Sequence, residues 1–267
     1  MSEYWSMSDQ PDAFYLPAGD DVYEPTGATE SPWDSAAQHG GPPTALLAHV
    51  IDAAVGPGMR LARISVDFLG PIPRRPARVE VTTLRPGRQI RLTEAHLIVD
   101  GKVAVTARTW HIATGPTPPV KTERVAPPPI PQDPDDWHSL LNLPDWGYGQ
   151  AIEWRFIRGG REPLGLAEVW TRVRIPLIAG QKLTGLARAL IVADAANGLS
   201  ATLPIQEWLS IPPTMTTTLL RHPDGDWVHM DCRTHLADDG LGLTHATLSD
   251  LDGHLGDVNQ PLLVRKR

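Results

Sequence analysis

Residues 38 to 41 read Gln-His-Gly-Gly and stand directly ahead of an apolar segment, 42 to 55, that repeats at helical spacing. The first amides of a helix have no intrahelical acceptor, and the aligned peptide dipoles place partial positive charge there. Gly40 and Gly41 carry no side chain that would keep a ligand away from those donors. Such a site can stabilise an oxygen that becomes negative when a carbonyl is attacked, and one donor of this kind is typically worth about 100- to 1000-fold in rate. His39 reads either as a base or as a residue that hydrogen-bonds locally at the helix start. A second apolar segment, 184 to 198, closes on Asp-Ala-Ala-Asn-Gly, much as the first closes on Asp-Ala-Ala-Val-Gly. Its Asp194 is either a structural acid bonded to backbone or threonine, or a carboxylate that takes part in chemistry.

Other chemistries are absent. The ten histidines are scattered, with no His-Glu-x-x-His and no carboxylate cluster at ligand spacing, so neither a metal nor a cofactor is expected. Cys232 is the single cysteine, which forbids an internal disulfide or a multi-cysteine zinc site and fits a reducing cytoplasm. With 24 Lys and Arg against 31 Asp and Glu and no dense basic run, nucleic acid is not an expected partner. The amino terminus is polar and acidic rather than signal-like, and no window reaches eighteen apolar residues, so a cytoplasmic location without a membrane span is expected.

The elements that must position these residues occur twice. Leu46, Leu47, Val50, Ile51 and Ala54 mark a helix that starts at Pro42-Pro43 and stops at Gly56-Pro57-Gly58. Ile64, Val66 and Phe68 alternate with polar residues as a half-buried strand, and strands follow at 77 to 84, 91 to 99 and 102 to 112, the last two joined at Asp100-Gly101. Residues 116 to 134 hold eight prolines and read as an extended, semi-rigid linker. Beyond it the order recurs: a helix over 184 to 196, strands at 214 to 221, 227 to 235 and around 242 to 248, then a hairpin at Asp252-Gly253 and a closing strand to Val264. Each unit is too thin to cover both faces of its own sheet, so the units, 1 to 115 and 136 to 267, are expected to pair.

A helix wrapped by an antiparallel meander, started by His-Gly-Gly and duplicated in tandem, resembles the double-hotdog acyl-CoA thioesterases of the type II family and their thioesterase-like actinobacterial relatives. The residues that carry the likeness are Gln38 to Gly41, Asp194 in Leu-Ile-Val-Ala-Asp-Ala-Ala-Asn-Gly, the threonine-rich strand 214 to 218, and the closing strand with Asn259-Gln260-Pro261. The resemblance implies an α+β fold, a tandem double hotdog in which each unit is an antiparallel sheet around one long helix. It also implies hydrolysis of fatty acyl-CoA to free acid and CoA, without metal or covalent intermediate, in a chain that assembles as a homo-oligomer. Carried over, Asp194 is the general base, and Gln260 and a hydroxyl fix the attacking water. Thr216 is the first placement for that hydroxyl, with Thr214 and Ser210 as neighbouring candidates, and His39, Gly40 and Gly41 form the oxyanion and substrate side. The family's acidic residue near position 214 is missing here.

The repeat also implies a second site around Asp52. Counting from the two hairpin aspartates puts Arg108 where Gln260 stands, and an arginine there would pair with Asp52, leaving one working site per chain. Trp33, Trp137, Trp146, Trp154, Trp170 and Trp227 are expected in core or interface, with one or two lining an acyl channel. Three other functions remain open: a non-catalytic acyl-CoA or acyl-chain binding protein, a hotdog dehydratase or hydratase built on a His and acid pair, and a structural interaction module.

Overall fold

The computed structural model describes residues 11–116, 122–135, 143, 145–160 and 165–267. In chain order its strands begin with β1 (Tyr15–Gly19), β2 (Val22–Pro25) and β3 (Ala37–Gln38), followed by helix α1 (Gly41–Val55). Then come β4 (Met59–Phe68), β5 (Ile72–Pro73), β6 (Ala77–Arg85), β7 (Ile90–Val99) and β8 (Lys102–Ala113). The later part holds α2 (Gly147–Gln150), β9 (Ile152–Arg158), β10 (Leu166–Val173), α3 (Gly185–Ala193), α4 (Ala196–Leu199), β11 (Trp208–Ile211) and β12 (Thr214–Leu219). It closes with β13 (Trp227–Leu236), β14 (Leu241–Asp250) and β15 (Gly253–Lys266).

One antiparallel sheet runs in the order β1-β2-β6-β7-β8-β4-β12-β15-β14-β13-β10-β9, with β11 added on β15. Its two arms join in the middle, where Met215 of β12 faces Val66 of β4. The ends curl toward each other: the amides of Phe14 and Tyr15 donate to the carbonyls of Pro176 and Leu177 at 3.1 and 2.9 Å. Inside this wrap α1 packs against α3, and the core is the apolar inner face of the strands together with Leu46, Leu47, Ile51, Leu190 and Ile191, all fully buried. Alternation decides which strand residues point in. Met215, Thr217 and Leu219 of β12 are buried, whereas Thr214, Thr216 and Thr218 take the other face.

Two expectations need correction. The second helix is not continuous to 196: α3 ends at Ala193, Asp194 is its C-cap in αR conformation, and a separate turn, α4, follows. The backbone tightens there, with Ala195 N–H bonded to Val192 O at 3.0 Å, so the second helix is nine residues against fifteen for the first. The proline-rich stretch is also more than a spacer where it is described, at 122–135. Its carbonyls accept from side chains of β9 and β10: Pro128 from the buried Trp170 Nε1 at 2.9 Å, and Pro131 and Gln132 from the partly exposed Arg155 Nη1 at 2.7 Å each. Residues 117–121 of that stretch, and Trp137, lie outside the described residues. Strands β9 and β10 were not legible in the sequence because an ion cluster interrupts their apolar pattern: Glu153 is buried with Arg155 and Arg172 around it.

Candidate active site

The two helices meet where their sequences are most alike. Gly40 caps α1 and Pro42-Pro43 sit in its first turn, where their missing amides leave no acceptor unsatisfied. A methyl group on Gly41 would lie 2.1 Å from the carbonyl oxygen of Ile191 in α3, and one on Gly40 would lie 2.7 Å from the ring of Phe68 and 2.8 Å from Asp194 Oδ2. Both glycines therefore serve first to let α3 and its terminal carboxylate come close. Tyr148 OH donates to the same Ile191 carbonyl at 2.8 Å and stacks on the His39 ring at 3.9 Å, which holds the imidazole in place.

The side chain of Asp194 is 9 % exposed and sits at the end of α3. Burial pushes its carboxyl up to about 7, and the backbone amides of Gly40 and Gly41 and the side chain of Gln260 pull the other way by donating to it. Gln260 is fully buried on the inner face of β15. Its Oε1 accepts the Asn197 amide at 3.2 Å, which fixes the flip of the side chain, so its NH2 group donates to Asp194 Oδ1 at 3.0 Å and to Asp194 O at 3.3 Å. Gln260 Nε2 thus meets Asp194 twice, and Met215 Sδ lies 3.9 Å from it.

His39 Nδ1 is 3.2 Å from Asp194 Oδ2 and 3.2 Å from the Gly41 amide nitrogen. Burial pushes the imidazole down to about 3, so the ring is neutral near pH 7 and the contact is not an ion pair. A nitrogen that accepts the Gly41 N–H has no hydrogen of its own. The contact with Oδ2 becomes a hydrogen bond when the carboxyl carries the proton and donates it to Nδ1 in place of the Gly41 N–H, since Nδ1 has a single lone pair to accept with. A carboxyl pushed up to about 7 reaches that form close to neutrality.

The hydroxyl expected beside Asp194 is not Thr216. Thr216 is bonded to Ser65 at 2.8 Å on the outer sheet face, and Thr214 donates to Val66 O at 2.7 Å, because strand alternation turns both away from Met215 and Gln260. Ser210 of β11 is on the correct side. It donates to Asn197 Oδ1 at 3.1 Å, and Asn197 Nδ2 donates back to the Ser210 carbonyl at 2.6 Å, so one asparagine ties Ser210 to the Gln260 and Asp194 pair. Asn197 had no signal in the sequence beyond its place in the Asp-Ala-Ala-Asn-Gly motif.

Asp194, His39, Gly40, Asn197 and Ser210 open onto a cavity of about 610 Å³ whose other walls are largely apolar, among them Phe68, Ile72, Leu199, Leu203, Ile205 and Ile211. Trp33, Trp146 and Trp208 line it as well, while Trp154 and Trp170 are fully buried elsewhere. Among the described residues no group of His, Cys, Asp or Glu is placed to hold a metal ion, and no helix is long and apolar enough to cross a membrane.

Asp52 does not line this cavity and pairs with His111 rather than Arg108, and the β8 residue equivalent to Gln260 is Thr109, one position beyond Arg108. Asp52 Oδ1 meets the buried His111 Nε2 at 3.2 Å, whereas Arg108 Nε bonds Glu94 at 2.6 Å on the outer face. The hairpin registers explain the offset. Gly253 pairs with Asp250 and Lys102 with Val99, so the position seven residues further on is Gln260 in β15 and Thr109 in β8. A slip of one residue turns a side chain to the opposite face.

Known proteins place this geometry in context. A family model for the acyl-CoA thioesterase N-terminal domain matches residues 29–112, and one for the acyl-CoA thioesterase C-terminal domain matches residues 123–264. No curated protein sequence matches. Among solved structures, a protein of Thermobifida fusca provisionally described as a thioesterase II is similar at a TM-score of 0.73 and 18% identity, over 95% of this chain and 96% of that one. A hotdog-fold protein of Alicyclobacillus acidocaldarius is similar at 0.69 and 18%, over 96% and 97%. The acyl-CoA thioesterase II TesB2 of Mycobacterium marinum is similar at 0.64 and 17%, over 95% of each chain. The α+β architecture of antiparallel sheet and few helices is thus a hotdog fold.

Proposed function

The chain belongs to the acyl-CoA thioesterase family and is a thioester hydrolase, and from that premise we propose that it cleaves fatty acyl-CoA at the cavity beside Asp194. The observation that carries this reading is a buried carboxyl pushed up to about 7, held by Gln260 and open to an apolar cavity. A general base works best with a pKa near the operating pH. The acyl chain lies along the apolar walls, and burial of each of its methylenes contributes about 0.8 kcal/mol.

In the proposed reaction Asp194 removes a proton from water, the water oxygen adds to the thioester carbonyl carbon, and the carbonyl oxygen becomes an oxyanion. Ser210 orients the water; Gln260 and Asn197 position the acid and the serine. His39 supplies the link between the two charges. Once Asp194 is protonated it donates to His39 Nδ1, and that lone pair no longer accepts the Gly41 N–H. The amides of Gly40 and Gly41, which held the carboxylate, become available to the oxyanion as it forms. Collapse of the tetrahedral species breaks the C–S bond, and the proton passes from Asp194 to the departing sulfur, giving free acid and CoA. The same reading takes 1–115 and 136–267 as duplicated hotdog units joined at 116–135, with one working site per chain in a cytoplasmic homo-oligomer.

Thiol release from a series of acyl-CoAs, short to long, tests the assignment of the hydroxyl. Ser210→Ala is expected to lower kcat by about 100-fold, the order of loss that follows from misplacing one reacting group. Thr216→Ala is expected to stay within about twofold, since its hydroxyl meets Ser65 on the far face of the sheet. The opposite ranking would remove Ser210 from the mechanism. Tight acyl-CoA binding by the wild type without any thiol release would replace hydrolysis with a binding function.

A further inference from the structure

The cavity has a second end. On β15 the inner face runs Gln260, Leu262, Val264, and the alternation carries on to Lys266, which at about 3.3 Å per residue puts Lys266 roughly 20 Å from Gln260. Strand β11 runs beside it, with Ser210 opposite Val264 and Trp208 opposite Lys266. The cavity wall includes Ser210 near Asp194 and reaches Trp208 and Trp33. There the guanidinium of Arg267 lies 5.1 Å over the Trp33 ring, and the Arg267 amide donates to Glu207 O at 2.9 Å, which fixes the strand end against that indole.

Arg265, Lys266 and Arg267 are three consecutive cations in a chain of net charge −7, and Arg267 sits over a cavity-lining indole. Arg265 is engaged, since its Nη1 donates to Gly240 O at 3.2 Å and to Val264 O at 2.7 Å. Neither Lys266 nor Arg267 has a carboxylate partner among the described residues. Arg267 over the face of Trp33 and Lys266 opposite Trp208 put an exposed cation beside each of two cavity-lining indoles, which suits a phosphorylated, aromatic ligand: the guanidinium binds phosphate through paired N–H groups, and the indole stacks on a base or on the guanidinium itself.

We infer that Lys266, Arg267 and Trp33 anchor the phosphorylated nucleotide end of coenzyme A, about one extended pantetheine arm away from the thioester carbon held beside Asp194. This rests on the thioesterase reading and adds to it the residues that recognise the carrier. The catalytic cluster acts on the thioester bond; the strand end distinguishes a phosphorylated carrier from a bare thiol.

The test compares one acyl group on two carriers, CoA and N-acetylcysteamine, which has the thioester and no phosphates. The readout is the ratio of the two kcat/KM values in the wild type and in Lys266→Ala/Arg267→Ala. The ratio is expected to fall about 10-fold for each lost cation, through a rise in the KM for acyl-CoA, and the wild-type ratio itself is expected to fall with added salt. An unchanged ratio in the double variant overturns the anchor even if both esters are hydrolysed normally. If the wild type hydrolyses neither ester, calorimetric binding of a non-hydrolysable acyl-CoA thioether decides separately: binding weakened in the variant supports the anchor, while equal binding, or none in the wild type, overturns it. Trp33→Ala alone is expected to lower the same ratio, which distinguishes an aromatic platform from cations acting at a distance.

Discussion

Asp194→Asn is expected to abolish turnover while making the protein more stable at alkaline pH. Asparagine copies the neutral carboxyl: Oδ1 still accepts from Gln260, at 3.0 Å in the wild type, and the new NH2 donates to His39 Nδ1, 3.2 Å from Oδ2. What is lost is the ability to take a proton from water, worth about 100- to 10,000-fold in kcat. The stability effect follows from the carboxyl's ordinary value of 3.8 against about 7 in the folded protein. A raised acid pKa means that the folded state binds the proton more tightly than the unfolded chain does. Wild-type stability is therefore greatest below about pH 4 as far as this group is concerned, falls as pH rises between about 4 and 7, and stays lowered above 7. At about 1.4 kcal/mol per unit the total is on the order of 4 kcal/mol. Asparagine has no such dependence, so its melting temperature is expected to match the wild type near pH 4 and exceed it at pH 8. The wild-type kcat/KM is expected to rise through a single ionisation near pH 7. A variant that retains turnover removes Asp194 as the base, and a melting temperature lower than wild type at pH 8 removes the buried-carboxylate account.

The second large effect is expected at Gly41. Its missing side chain lets the backbone of α3 pass, and an alanine methyl would sit 2.1 Å from Ile191 O, well inside any tolerable contact. Neither helix can yield cheaply, since Tyr148 OH holds that carbonyl at 2.8 Å and the core encloses both helices. Overpacking of this kind costs about 3 kcal/mol, which corresponds to a melting temperature lower by roughly 6 to 12 °C. The separation it forces also moves Asp194 away from the Gly40 and Gly41 amides, and a shift of about 1 Å is enough for a loss near 100-fold in kcat. Gly56, where a Cβ would meet nothing within 4 Å, is the control: alanine there meets only the cost of a positive φ of 78°. A Gly41→Ala protein as stable and as active as wild type would show that the two helices are not held at contact distance.

The sequence alone determined the elements with strong periodicity and the residues whose type is rare for their setting. Helix α1 and strands β4, β6, β7, β8, β12, β13, β14 and β15 follow from apolar spacing and hairpin signals, and Asp194 stands out through the Asp-Ala-Ala-x-Gly motif that both apolar segments share, its chemical role coming from the family resemblance. Gln260 came from the family resemblance alone, and the fold brings it onto Asp194. Only the tertiary structure decided which face each residue takes and what its polar atoms meet. Thr216 and Ser210 are equally plausible as letters, but alternation sends one to Ser65 and the other to the cavity. Arg108 and Thr109 differ by one step of hairpin register, which a count from the turn cannot resolve. The glycines at 40 and 41 were legible as places where something must come close, but not that the first thing to do so is the carboxylate of the other helix. The reason is physical: periodicity and residue type are local properties of the chain, whereas register, close approach and the partner of a buried charge are fixed by residues far apart in sequence that packing brings together.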